Sequence, residues 1–302
     1  MQSNKHVQDI RIYENLKKIG NIITVLSGKG GVGKSTVSVN LAYALAREGH
    51  RVGIMDVDIH GPNIPKMLGI EQKRFGGTEE SVTPVEVKPN LHAASIALVG
   101  YNPEEALIWR GPMKIGLVRQ FLGDVLWGAL DYLIIDTPPG TGDEALTTAQ
   151  LIPQMKGVLI VTTPQDVAIL DSRKSITFAR KLDLPVLGII ENMSTYICPS
   201  CGEKTRLFGD GGGKRAAEET GLPFLGEVPM DPAIVAAGDA GVPFLEGPSS
   251  QPLAAAFENI IQKIIENIER NTTAGLYDKK EPADPRIEAE KKVPQSDFRP
   301  LQ

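Results

Sequence analysis

The chain of 302 residues carries only two cysteines, Cys198 and Cys201. That excludes a disulfide framework and points to a reducing compartment. No apolar run reaches the length of a membrane span. Residues 1 to 18 are polar and lack the apolar centre of a secretory signal. A cytoplasmic location is therefore expected. Basic residues do not predominate: 32 Lys and Arg stand against 37 Asp and Glu, a formal net charge of −5. The chain thus lacks the overall electrostatic footprint of a nucleic-acid binder. Aromatics make up only 5% of the residues. Apolar residues still amount to 41%, enough for a sizeable core.

Glycine is abundant and unevenly placed. The stretch Gly28-Lys29-Gly30-Gly31-Val32-Gly33-Lys34-Ser35-Thr36 follows the apolar run Ile22 to Leu26 and opens a helical pattern from Lys34 to Glu48. Strand, glycine loop and helix in that order, with G-x-x-x-x-G-K-[S/T] met by Gly28, Gly33, Lys34 and Ser35, make a P-loop. Its backbone N–H groups and the following helix N-terminus suit the phosphates of ATP. Lys34 would reach the outer phosphates, and the Ser35 hydroxyl would bind Mg²⁺.

The rest of the chain repeats the strand–helix rhythm. Arg51 to Met55 reads as a strand ending at Asp56, with Asp58 just beyond. Tyr132 to Ile135 reads as a buried strand ending at Asp136, which fits a Walker B carboxylate for Mg²⁺. Gly140, in the loop that follows, is placed to respond to the loss of a γ-phosphate. Further strands are expected at Leu91–Ala97, Gly157–Thr162, Val186–Ile190 and Phe224–Val228. Helices are expected over Met113–Leu126, Asp166–Leu182, 214–220 and Pro252–Ile268. The expected fold is α/β, a mostly parallel twisted sheet with helices on both faces. Residues 1–20 read as a frayed lead-in, 21–270 as one ATPase domain, 71–90 as an exposed loop, and 271–302 as a disordered tail.

Cys198 and Cys201 lie in the loop Cys198-Pro199-Ser200-Cys201-Gly202, far in sequence from all four histidines. A structural zinc or an iron–sulfur cluster usually needs four protein ligands. One chain therefore falls two short, whereas a two-fold dimer supplies four thiolates. From the residues alone, a bridging [4Fe–4S] cluster, a bridging zinc, a redox pair and inert thiols all stay open.

Lys29, directly after the first glycine, makes the P-loop resemble the deviant Walker A of the MinD, ParA and nitrogenase iron protein superfamily. Asp56-Val57-Asp58-Ile59-His60-Gly61-Pro62, Asp136-Thr137-Pro138-Pro139-Gly140-Thr141-Gly142-Asp143, the CxxC pair and Phe208-Gly209-Asp210-Gly211-Gly212-Gly213 look more specifically like the Mrp/ApbC-type iron–sulfur carrier ATPases. The resemblance spans roughly residues 20 to 265. It implies a homodimer that sandwiches ATP, with Lys29 acting on the partner's nucleotide. It also implies that Asp58 orients the attacking water, that Asp56 supports the Mg²⁺ shell, and that Asn192 bonds the adenine beside Pro229 to Asp231. The cysteines would hold a [4Fe–4S] cluster for delivery to apo-proteins, with no nucleic acid or membrane as partner. A MinD- or ParA-like positioning ATPase is the alternative, but the 252–268 helix carries mixed charge and is followed by more than thirty residues. An electron-transfer reductase like the nitrogenase iron protein would take its ligands from two well-separated cysteines.

Overall fold

The continuous apolar runs of the sequence become the centre of one sheet. The computed structural model describes residues 2–78, 81–99, 111–198, 200–246, 251–277 and 284–286. The chain begins with α1 (Gln2–Leu16), β1 (Ile19–Ser27), α2 (Lys34–Arg47), β2 (Val52–Asp56) and the short α3 (Ile64–Met67). Two-residue strands β3 (Gly76–Gly77) and β4 (Val82–Thr83) pair with each other, and β5 (Val85–Lys88) precedes β6 (Leu91–Ser95). Then come α4 (Gly111–Gly123), β7 (Leu130–Asp136), α5 (Asp143–Leu151), β8 (Gly157–Thr162) and α6 (Asp166–Lys181). The chain continues through β9 (Val186–Ile197), β10 (Lys204–Thr205), α7 (Gly212–Thr220), β11 (Phe224–Met230), α8 (Pro232–Asp239) and α9 (Gln251–Thr273).

The main sheet runs β10-β9-β8-β1-β7-β2-β6-β5, with β11 also paired to β9. Its inner pairings are parallel, and the edge strands β5 and β10 run antiparallel. Strands covered on both faces have no polar side to present, which is why β8 is buried at every position. Successive side chains serve opposite layers. Ile23 and Val25 pack with α2 and with Phe257, Ile260, Ile261 and Ile264 of α9. Ile22 and Leu26 pack with Ile12 and Leu16 of α1, Leu117 and Phe121 of α4, and Ile176 of α6. Each such fully buried side chain contributes about 1.5–3 kcal/mol. The expected α/β architecture is the observed one.

The lead-in, however, is a helix. Residues 1–20 read as frayed because few of their positions are apolar, but α1 docks on α4. Asn15 Nδ2 lies 3.0 Å from each of the carbonyls of Leu122, Gly123 and Val125 at the end of α4, and Arg119 pairs with Asp9. Likewise, the expected 71–90 loop holds β3, β4 and β5 among its described residues. At the other end, α9 runs through the expected boundary at 270, and Tyr277 donates to the Lys156 carbonyl at 2.6 Å. Arg286 pairs with Glu14 at 2.9 Å. The remainder of the tail read as disordered lies outside the described residues.

Strand β9 also runs further than expected, from Val186 to Ile197 instead of ending at Ile190. Asn192 faces Val228 of β11, yet the next pair is Tyr196 with Met230, so four steps on β9 match two on β11. The surplus bulges out at Met193, which holds a left-handed φ of 56°.

Candidate functional site

Loop 28–33 joins the C-terminal end of β1 to the N-terminus of α2. Gly31 and Gly33 hold left-handed φ values of 78° and 82°, and Gly33 is the residue that caps α2. A Cβ at Gly33 would lie 2.1 Å from Asn192 Nδ2. That amide nitrogen donates to the Val32 carbonyl at 2.8 Å, tying β9 to the loop. The second loop, 137–142, is fastened to the same place. Gly140 N donates to the Ser27 carbonyl at 2.8 Å, and the Thr137 hydroxyl donates to Val25 O at 2.8 Å.

Beneath the loop, sheet register brings three polar residues together. Asp56 at the end of β2 is level with Asp136 at the end of β7 and with Ser95 at the end of β6. Asp136 is 1% exposed and accepts three contacts: Lys34 Nζ at 2.7 Å, Ser35 Oγ at 2.7 Å and Ser38 Oγ at 2.6 Å. Asp56 accepts from Ser95 Oγ at 2.9 Å and from Asp58 N at 3.0 Å. Burial first, and the neighbouring Asp136 carboxylate second, push the Asp56 carboxyl well above the usual range, against the pull of Lys34. Burial also raises Asp58, whose carboxylate accepts from Gly61 N at 3.3 Å. Ser35, Asp136 and Asp56 offer hard oxygen donors, and a buried carboxyl driven toward its neutral form beside another carboxylate fits a site that takes a divalent cation.

Above the loop opens a cleft of about 480 Å³, a size suited to a nucleotide. Lys29 to Thr36, Asp58, Asn192, Met193 and Pro229 to Asp231 line it, with Ile234 and Val235 of α8. The Asp231 side chain accepts from Ala233 N at 2.8 Å and so caps α8 while edging the cleft. Lys29 has no ion-pair partner among the described residues, unlike Lys34. The site residues expected from sequence therefore converge on one sheet edge, apart from the cysteines. Ser38, Ser95 and Met193 were not anticipated. Ser38 sits one helical turn after Lys34 and so shares its face, a signal present in the sequence. Ser95 reaches Asp56 only through sheet register.

The cysteines occupy a hairpin at the far end of β9. Lys204 and Thr205 of β10 pair back onto Ile197 and Tyr196. Cys198 N donates to the Glu203 carbonyl at 2.9 Å, and Gly202 N donates to Cys198 O at 2.8 Å. The backbone N–H groups of Ser200 and Cys201 point at the Cys198 sulfur and lower its thiol from the usual value. Both thiols are free, and Cys201 is exposed. A thioredoxin-like pair opens a helix after a strand, whereas this one caps a hairpin.

A glycine loop between β1 and α2, with a buried strand-end carboxylate on its lysine and serine, defines a P-loop NTPase. More narrowly, the family model "ParA: NUBPL iron-transfer P-loop NTPase" matches residues 18–265, and the chain belongs to that family. A Methanocaldococcus jannaschii protein named iron-sulfur cluster carrier protein is 49% identical over 264 residues, covering 87% of this chain and 90% of that one. The human cytosolic Fe-S cluster assembly factor NUBP2 is 46% identical over 256 residues, covering 83% and 94%. Among solved structures, the Archaeoglobus fulgidus nucleotide-binding protein in complex with ADP superposes with a TM-score of 0.70 at 40% identity, over 80% of this chain and 94% of that one. The Pyrococcus furiosus cell division ATPase MinD, at 23% identity and a TM-score of 0.57 over 82% and 99%, shares the fold.

Proposed function

We propose that this chain is an ATP-binding and slowly hydrolysing carrier of iron–sulfur clusters. Two copies hold one [4Fe–4S] cluster between their Cys198 and Cys201 pairs and deliver it to apo-proteins in the cytoplasm. The carrying observation is the cysteine hairpin. It presents two free thiols, one of them favoured as thiolate, at the end of a strand that also borders the nucleotide cleft. Among the described residues no group of three or more His, Cys, Asp or Glu side chains converges to hold a metal within one chain. A second copy related by a two-fold axis supplies the missing pair. The names borne by the relatives support the same cargo.

In this reading the N–H groups of loop 28–33 and Lys34 hold the phosphates of ATP. Lys29 reaches the partner's nucleotide. Asn192, Pro229 and Asp231 border the base, and Asp58 orients the attacking water. Ser35, Asp136 and Asp56 hold Mg²⁺, directly or through water, and that ion neutralises charge on the phosphates. A positioning ATPase that docks on membrane through its last helix is disfavoured, because Phe257, Ile260, Ile261 and Ile264 of α9 are spent on the sheet. Among the described residues no helix is long and apolar enough to cross a membrane.

Anaerobic reconstitution with ferrous iron and sulfide tests the assignment. The expected result is four iron and four sulfide per pair of chains, lost in Cys198→Ala and Cys201→Ala. Equal cluster loading of the variants and the unsubstituted protein, or zinc alone in anaerobically purified material, would overturn it.

A further inference from the structure

One ion pair, between part-buried Lys114 and buried Glu144, lies outside the phosphate site and beside its two loops. Lys114, in the first turn of α4, places Nζ 2.8 Å from Glu144 Oε1 and 2.8 Å from His60 Nε2. The His60 contact is a hydrogen bond accepted at Nε2, and the Glu144 contact is an ion pair without hydrogen-bond geometry. His60 belongs to loop 57–63, beside Asp58, whose carboxylate accepts from Gly61 N in the same turn. Glu144 is 3% exposed and sits in the first turn of α5, two residues past loop 137–142. Loop 57–63 carries the carboxylate that faces the cleft, and loop 137–142 follows Asp136. Lys114 stands on α4, which α1 holds through Asn15 at the helix's far end and through the Arg119–Asp9 pair.

We infer that Lys114 is a positioning residue that locks loops 57–63 and 137–142 together, so that neither rearranges around a nucleotide without the other. The lock joins one buried partner, Glu144, to the exposed His60 through a part-buried lysine, and such a polar contact is either made or broken. Its catalytic consequence rests on the ATPase reading, but its mechanical content does not. A lysine that merely neutralised Glu144 would steady α5 alone. A lysine that joins the loops transmits a change at either end to the other.

Hydrogen exchange on the nucleotide-free protein separates these cases. Glu144→Gln is expected to speed amide exchange in residues 57–63 by about twofold or more, and His60→Ala to do the same in residues 137–142. His60 is exposed, so its replacement leaves the core untouched and keeps the test available even if Lys114→Met unfolds the chain. Lys114→Arg, which retains the charge and the donors, is expected to restore protection at both loops. In steady-state ATP hydrolysis, Lys114→Met is expected to lower kcat about tenfold with KM within about twofold, and Lys114→Met/Glu144→Gln to be no worse than Lys114→Met. Exchange effects confined to the loop next to each substitution would overturn the lock. Absence of hydrolysis by the unsubstituted protein would instead overturn the ATPase reading and leave the exchange result to decide the lock.

Discussion

Gly33→Ala imposes two separate penalties on the P-loop, and Gly31→Ala isolates one of them. Both backbones are left-handed, at φ of 82° and 78°, where a side chain costs about 1–2 kcal/mol. A Cβ at Gly31 meets nothing within 4 Å, so its penalty ends there. At Gly33 the Cβ would stand 2.1 Å from Asn192 Nδ2, and that amide must swing away from the Val32 carbonyl it now holds at 2.8 Å. Losing a buried hydrogen bond and leaving its acceptor unpaired adds about 1–3 kcal/mol. Gly33→Ala should therefore destabilise by about 2–5 kcal/mol and Gly31→Ala by about 1–2 kcal/mol. Equilibrium urea unfolding at constant m reads both values. Asn192→Ala removes the obstacle, so in the double variant Gly33→Ala should add only its backbone penalty, a coupling of about 1–3 kcal/mol. Equal destabilisation at the two glycines, or strict additivity with Asn192→Ala, would refute the collision.

Other outcomes follow from the same geometry. Asp56 is raised above its unfolded value, so its contribution is fully present below the ordinary carboxylate range and is lost as pH rises through the folded value. Asp56→Asn should accordingly raise the melting temperature at neutral and higher pH, with the gain shrinking toward about pH 4, while Mg²⁺-dependent turnover falls; a gain that grows on acidification contradicts the sign. Asn15→Ala should lower stability by about 1–3 kcal/mol in chemical denaturation, since it strips the end of α4 of a donor to three carbonyls; a change below a few tenths would mean that water replaces it. Iodoacetamide at neutral pH should label Cys198 before Cys201, because the N–H groups of Ser200 and Cys201 lower the Cys198 thiol. Mass spectrometry of the peptides decides it.

What the sequence made legible were features written in consecutive residues. The P-loop needs glycine, lysine and serine at fixed offsets between an apolar run and a helix, and those constraints are local. The same holds for Asp56 and Asp136, each placed by the strand that ends on it. Helix α1 escaped notice because docking on α4 needs only a few side chains, Ile12, Leu16 and Asn15 among them, in an otherwise polar stretch. The expected end of β9 at Ile190 followed the end of its apolar run; its actual continuation is sustained by pairing with β10 and β11, partners that no local pattern announces. The lock of His60, Lys114 and Glu144 joins positions 54 and 30 residues apart, so no window along the chain contains it.

The extension of β9 has a consequence for how such a chain is altered. The residues lining the cleft run as far as Met193 and resume at Pro229, while the cysteines hang on a two-strand appendage closed between Ile197 and Lys204. The cysteine hairpin and the cleft are separate stretches of one polypeptide. On the proposed function the six residues from 198 to 203 are a cassette: rewriting them would change what is gripped without rebuilding the cleft beneath.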